Sequence, residues 1–147
     1  MNLRFRPATD ADTARLAAIA GCAQDGAWTR DQIAGSLHGG SLVLLAQVEA
    51  DIVGFAVLQT VLDEAELHEI VIARDWQRRG LGRQLLAAVL ATARTAGAAR
   101  LLLEVRAGNG AALALYTASG FVRTGVRRDY YRADKGREDA ILMEIAL

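Results

Sequence analysis

The sequence predicts an α/β domain built on a mixed sheet. Three observations carry this. Leu81, Leu85, Leu86, Val89, Leu90 and Ala93 recur at helical spacing and mark one strongly amphipathic helix. Apolar runs on either side of it, Ala65 to Ile72 and Leu101 to Val105, have the length and character of buried strands. Between the first run and the helix stands a glycine-rich turn, Gln77-Arg78-Arg79-Gly80-Leu81-Gly82-Arg83.

The other elements follow in order. Leu3 to Arg6 reads as a short strand that Pro7 ends, and Thr9 or Asp10 can cap a helix through about Gly21. Thr29-Arg30-Asp31-Gln32 fits a capping box for a second short helix, which Gly39-Gly40 terminates. Ser41 to Gln47 and Ile52 to Leu62 are strand-like and joined by a turn at Glu49-Ala50-Asp51, an antiparallel hairpin. After the long helix stops at Gly97 and the Leu101 strand has passed, Ala111 to Ser119 forms a helix closed by Gly120. Val122 to Tyr131 and Glu138 to Leu147 read as two strands joined by a turn around Ala133 to Gly136. No repeat or linker interrupts the order, and 147 residues suit a single domain spanning 1–147.

Composition removes several function classes. Hydrophobic residues make up 52% and the formal net charge is zero, so a general nucleic-acid binder is not expected. Charge is uneven locally: Asp63, Glu64, Glu66 and Glu69 form an acidic stretch, and Arg123, Arg127, Arg128, Arg132, Lys135 and Arg137 a basic one. The sole cysteine, Cys22, precludes an intrachain disulfide. No segment is apolar enough for a membrane span and the N-terminus does not resemble a signal peptide, so a cytoplasmic location is expected. His38 and His68 stand alone and no metal site is expected.

The turn at 77–83 gives the first functional lead. Glycines that open a helix expose backbone N–H groups at the positive end of its dipole, and three arginines add charge there. A phosphate-bearing ligand suits that combination. A P-loop would need lysine and then serine or threonine after the last glycine, but Arg83 and Gln84 follow Gly82. A dinucleotide fingerprint would need a small residue where Leu85 stands. The pattern that fits is Gln/Arg-x-x-Gly-x-Gly/Ala, the pyrophosphate loop of proteins that use acyl-coenzyme A.

With that loop in place the chain resembles the GNAT-type N-acetyltransferases, and among them the RimI-type ribosomal-protein N-terminal alanine acetyltransferases. The resemblance rests on Val61-Leu62-Asp63-Glu64-Ala65, the 77–83 turn, Leu103-Glu104-Val105-Arg106-Ala107 with Asn109, Ala114-Leu115-Tyr116 and Gly120-Phe121. It continues in Arg127-Arg128, Tyr130-Tyr131 and Gly136-Arg137-Glu138-Asp139-Ala140. Ala107-Gly108-Asn109 departs from the common Ala-Ser-Asn, and Ala27-Trp28 from the common Pro-Trp.

The resemblance implies a GNAT fold, with a mixed, mostly antiparallel seven-stranded sheet flanked by four helices, and acetyl-coenzyme A as cosubstrate without a metal. It implies that Arg78, Arg79, Gly80, Leu81, Gly82 and Arg83 hold the pyrophosphate. Main-chain groups of Ile70, Val71 and Ile72, on a strand that splays from its neighbour, would meet the thioester and pantetheine arm, with Asn109 capping a helix or binding that arm. Glu104 is the expected general base, in surroundings buried enough to suit proton transfer, with Glu69 as its rival. Tyr116 is the expected general acid, because a phenol can donate a proton to the departing thiolate. The implied acceptor is a protein N-terminus, that of a small-subunit ribosomal protein, which the acidic stretch could steer. An α-amine has a pKa of about 8 against about 10.4 for lysine, so a modest base suffices. A lysine or small-amine acetyltransferase and a non-catalytic coenzyme A-binding or ribosome-associated module stay open. The peptide preference and oligomeric state are not legible.

Overall fold

The computed structural model describes residues 2–23, 27–133 and 136–147. Its strands are β1 (Leu3–Pro7), β2 (Leu42–Val48), β3 (Asp51–Val61), β4 (Glu64–Ile72), β5 (Arg100–Arg106), β6 (Val122–Ala133) and β7 (Gly136–Ala146). Its helices are α1 (Thr13–Ala23), α2 (Arg30–His38), α3 (Leu81–Thr95) and α4 (Gly110–Ala118). The strands form one seven-stranded sheet in the order β1-β2-β3-β4-β5-β7-β6. Every neighbouring pair is antiparallel except β4 and β5. This is the mixed sheet with four helices that the resemblance implies.

The element order follows the periodicities, and the ends shift by a residue or two. A single 3-10 turn over Asp10–Asp12 precedes α1, so Thr13 is the first α-helical residue. Arg6 on β1 pairs with Asp12 at 2.9 Å, and its guanidinium holds that carboxyl well below the usual range, at about 2. The capping box of α2 is formed: Gln32 N–H donates to Thr29 Oγ1 at 3.2 Å, and Thr29 N–H to Gln32 Oε1 at 2.8 Å. β3 ends at Val61, and Leu62 enters the turn with φ 57°, which no glycine, proline or asparagine announces. The predicted turn around Ala133 to Gly136 includes residues 134 and 135, which lie outside the described residues.

Helices cover the two faces of the sheet, and each face has its own core. Leu81, Leu85, Leu86, Val89 and Leu90 of α3 pack with Leu101 and Leu103 of β5, Tyr116 of α4 and Met143 of β7. Leu16 and Ile19 of α1 and Ile33 of α2 pack with Val43, Leu45, Phe55, Val57 and Val71 on the opposite face. Burial of each large aliphatic side chain is worth about 1.5–3 kcal/mol.

Two features place the site. β4 carries an extra residue against β3: Val57 pairs with Glu69 and Leu58 with Leu67, so His68 bulges from the ladder. The bulge exchanges the faces of the strand. Leu67 points into the α3 core, whereas beyond the bulge Val71 points into the α1 core. Farther along, Gly54 lets β3 approach β4 closely. A Cβ there would lie 2.6 Å from Val71 O and 2.8 Å from Ile72 Cδ1. Gly54→Ala should therefore destabilise the fold by about 1–3 kcal/mol, measured by urea denaturation, because backbone rather than a flexible tip must yield.

Candidate active site

The sheet opens between β4 and β5. Their parallel pairing runs from Glu64↔Arg100 to Leu67↔Leu103 and then stops. Past that point β4 stays with β3, and β5 stays with β7 through Arg106↔Ala140. The gap becomes a cleft of about 650 Å³. It is lined by Ile70, Val71 and Ile72 on one edge and by Glu104, Val105 and Arg106 on the other. Leu115 and Tyr116 reach it from the α3–α4 face, and Ala23 and Trp28 from the α1–α2 face. The opening thus passes through the sheet.

The ladder decides which β4 groups face the gap. Ala73 N–H donates to Val53 O of β3 at 2.8 Å. By antiparallel alternation, Val71 also exchanges its backbone bonds with β3, opposite Phe55. Ile70 and Ile72 direct theirs into the gap. The main chain of Val71 is thus directed to the ladder, although the residue lines the cleft. Ile70 N–H donates to Glu69 Oε1 at 3.1 Å. Gln77 Nε2 donates to Ile72 O at 3.0 Å, tying the glycine turn to the end of β4.

The glycine turn meets the cleft from one end. Gly80 is the N-cap residue of α3 with φ 78°, a left-handed conformation that favours glycine, and no side chain caps the helix. The N–H groups of Leu81, Gly82 and Arg83 belong to that uncapped first turn. The reason for glycine at 80 is therefore its backbone angle, since an added Cβ would meet nothing within 4 Å. Arg78 also has positive φ, 63°, and lines the cleft with Gly80, Leu81 and Gly82. Arg79 and Arg83 are not among the lining residues. Arg79 lies over the Trp76 ring at 4.9 Å.

Glu104 and Tyr116 both line the cleft, but their surroundings differ. Tyr116 is only 6% exposed, with its ring 5.5 Å from that of Phe121. Burial pushes its phenol well above the ordinary tyrosine range, and the nearby Glu69 charge adds to this. Its hydroxyl therefore keeps its proton at neutral pH. Glu104 is not buried as expected: its side chain keeps 31% exposure, and Oε1 pairs with Arg127 Nη2 at 3.3 Å. On a strand whose alternate residues fill the α3 core, Glu104 faces the other way. Asn109 caps α4, its Oδ1 accepting from Ala112 N–H at 3.1 Å, and also lines the cleft.

Other side chains in the cleft had weaker sequence signals. Tyr131 stacks against Arg106 at 4.4 Å, and His68 contacts Glu66 at 3.0 Å. Trp28 lies in the segment singled out for its shortened Pro-Trp pattern. The acidic stretch is partly committed within the fold, because Glu64 pairs with Arg100 at 2.6 Å. Cys22 is exposed on α1, and His38 meets Asp10 at 2.8 Å, away from the cleft. Among the described residues no group of three or more His, Cys, Asp or Glu side chains is placed to hold a metal, and no helix is long and apolar enough to cross a membrane.

Known proteins share this fold. The family model described as acetyltransferase (GNAT) family matches residues 12–121. The [ribosomal protein bS18]-alanine N-acetyltransferase of Escherichia coli strain K12 is 50% identical over 93 residues, which is 63% of this chain and 63% of that protein. The chain thus matches somewhat less than two thirds of that relative's length. The N-alpha-acetyltransferase RimI of Mycobacterium tuberculosis is 49% identical over 69 residues, 47% of this chain and 42% of that protein. The crystal structure of the ribosomal-protein-S18-alanine N-acetyltransferase from Escherichia coli superposes with a TM-score of 0.93 at 36% identity, over 99% of this chain and 94% of that one. With the split sheet, the uncapped glycine turn and a family match that spans most of the residues, the chain belongs to the GNAT acetyltransferase family.

Proposed function

We propose that this chain acetylates the α-amine of a protein N-terminus, with acetyl-coenzyme A as donor and the N-terminal alanine of a small-subunit ribosomal protein as acceptor. The observation that carries this is the cleft through the sheet, with the glycine turn on it and Glu104 and Tyr116 in one lining. Two molecules can reach such an opening from opposite faces and meet in it, which gains the rate advantage of fixed proximity. The name of the Escherichia coli relative supports the ribosomal-protein acceptor, and that of the Mycobacterium tuberculosis relative supports an α-amine. Ribosomal proteins are made in the cytoplasm, and the enzyme works there.

The residues present suit the donor. An extended nucleotide thioester needs an anion clamp and a polar backbone edge. The uncapped first turn of α3 with Arg78 offers the first, and the gap-facing groups of Ile70 and Ile72 offer the second. Arg79 and Arg83, outside the lining, add positive potential at the turn. When bound, acetyl-coenzyme A supplies the acetyl group as an activated thioester. Glu104 takes the proton that the acceptor amine loses. Tyr116 gives a proton to the departing sulfur. Asn109 fixes the start of α4 and so the depth at which Tyr116 stands.

The test is acetyl transfer by the full chain to three acceptors: a peptide with the N-terminus of ribosomal protein bS18, a lysine peptide with a blocked N-terminus, and a free polyamine. Mass spectrometry should find one acetyl group on the first and its fragment ions should place it on the α-amine. Product on lysine or polyamine alone would move the reading to the other amine class. Coenzyme binding with no product on any acceptor would favour a binding module.

A further inference from the structure

Glu104 lines the cleft, and Arg127, whose Nη2 lies 3.3 Å from its Oε1, is not among the lining residues. One carboxylate oxygen thus has a cationic partner that comes from outside the cleft lining. The guanidinium also lies over the Tyr130 ring at 5.3 Å. Tyr130 meets Tyr131 edge-on at 5.1 Å, and Tyr131 faces Arg106, the residue two after Glu104, at 4.4 Å. The backbone under Arg127 is fixed as well. Arg127 is the last residue of β6 in register before an irregularity that runs to Tyr131. Within it Asp129 adopts φ 52°, and its N–H donates to Asp139 Oδ1 at 2.9 Å.

We propose that Arg127 is a positioning residue for the proton transfer: it holds one carboxylate oxygen of Glu104 so that the other faces the acceptor amine. The inference rests on Glu104 as the base. Side-chain exposures of 53% for Arg127 and 31% for Glu104 make the pair a weak contributor to stability, so orientation is the consequence that matters. Arginine suits the task better than lysine, because a planar fork can grip a carboxylate while its face lies on a ring.

The experiment is a double-mutant cycle on the intact enzyme with Arg127→Gln, Glu104→Gln and the double variant, plus Arg127→Lys. Rates are measured with the N-terminal peptide, together with KM for each substrate and melting temperature. Arg127→Gln should lower kcat by about 10-fold, with unchanged KM for acetyl-coenzyme A and an unchanged melting temperature. Arg127→Lys should recover part of the loss. In the Glu104→Gln background the same change should cost less than about 2-fold, because a residue that acts only through Glu104 has nothing left to position. An equal loss in both backgrounds, or a loss confined to KM for the donor, overturns the role of Arg127 while Glu104 stays the base. Full activity in Glu104→Gln alone overturns the base assignment and takes this inference with it.

Discussion

Glu104→Gln should lower kcat with an N-terminal peptide by about 100-fold near pH 7, the usual scale for removing a general base. Glutamine keeps the size of the side chain and an oxygen for Arg127, so the geometry at 3.3 Å changes little. Binding of coenzyme A, which calls on the glycine turn and the β4 edge, should stay within about 2-fold. The pH dependence distinguishes a base from a merely structural carboxylate. An α-amine with a pKa of about 8 sheds its own proton as the pH rises, so the deficit should shrink toward pH 9. A rate series from pH 6.5 to pH 9.5 checks this. A deficit that is constant across the series would remove Glu104 as the base and turn attention to Glu69, the other carboxylate in the cleft lining.

Local features of this fold were legible, and long-range ones were not. The leucine spacing of α3, the Thr29–Gln32 capping box and the apolar run of β5 each follow from neighbours in sequence, and each stands where the periodicity puts it. The same holds for the glycine turn, whose two glycines, arginine context and place before a helix point to an anion. The end of β4–β5 pairing is different in kind. It depends on where two strands separated by a helix stop sharing a ladder, and nothing in Ile70-Val71-Ile72 marks that point. Nor does the sequence say which of those residues turns its amide into the gap. That parity follows from the β3 register and the bulge at His68.

The surroundings of Glu104 show the same limit. A lone charge in an apolar strand suggests burial, but β5 fills a core on only one face, and Glu104 is on the other. Its partner, Arg127, comes from β6, one of several arginines in a basic stretch with no local mark to single it out. Gly54 was equally silent, because the need for glycine there arises from the carbonyl of Val71 on the adjacent strand. Tyr116 differs, since its place on the helix that follows β5 is a local feature, and that helix brings it to the cleft.

Tyr116→Phe is expected to produce the other large loss, about 100-fold in kcat, by removing the proton donor to the departing sulfur. The fold should tolerate it. Phenylalanine preserves the ring that packs 5.5 Å from Phe121 in the α3 core and removes only the hydroxyl at the cleft. Because burial pushes the native phenol well above its ordinary range, it does not titrate where the enzyme works. The substitution should therefore lower the whole pH–rate profile without moving its acid limb. The identity of the donor gives a sharper check. A thiolate with an ordinary pKa of about 8.5 benefits from a proton as it leaves, and a more acidic leaving group needs that help less. An acetyl donor with a selenol in place of the thiol should therefore narrow the gap between Tyr116→Phe and the native enzyme. If both donors show the same deficit, the hydroxyl acts through packing or binding, and the proton must come from another group on the cleft, with His68 the first to test.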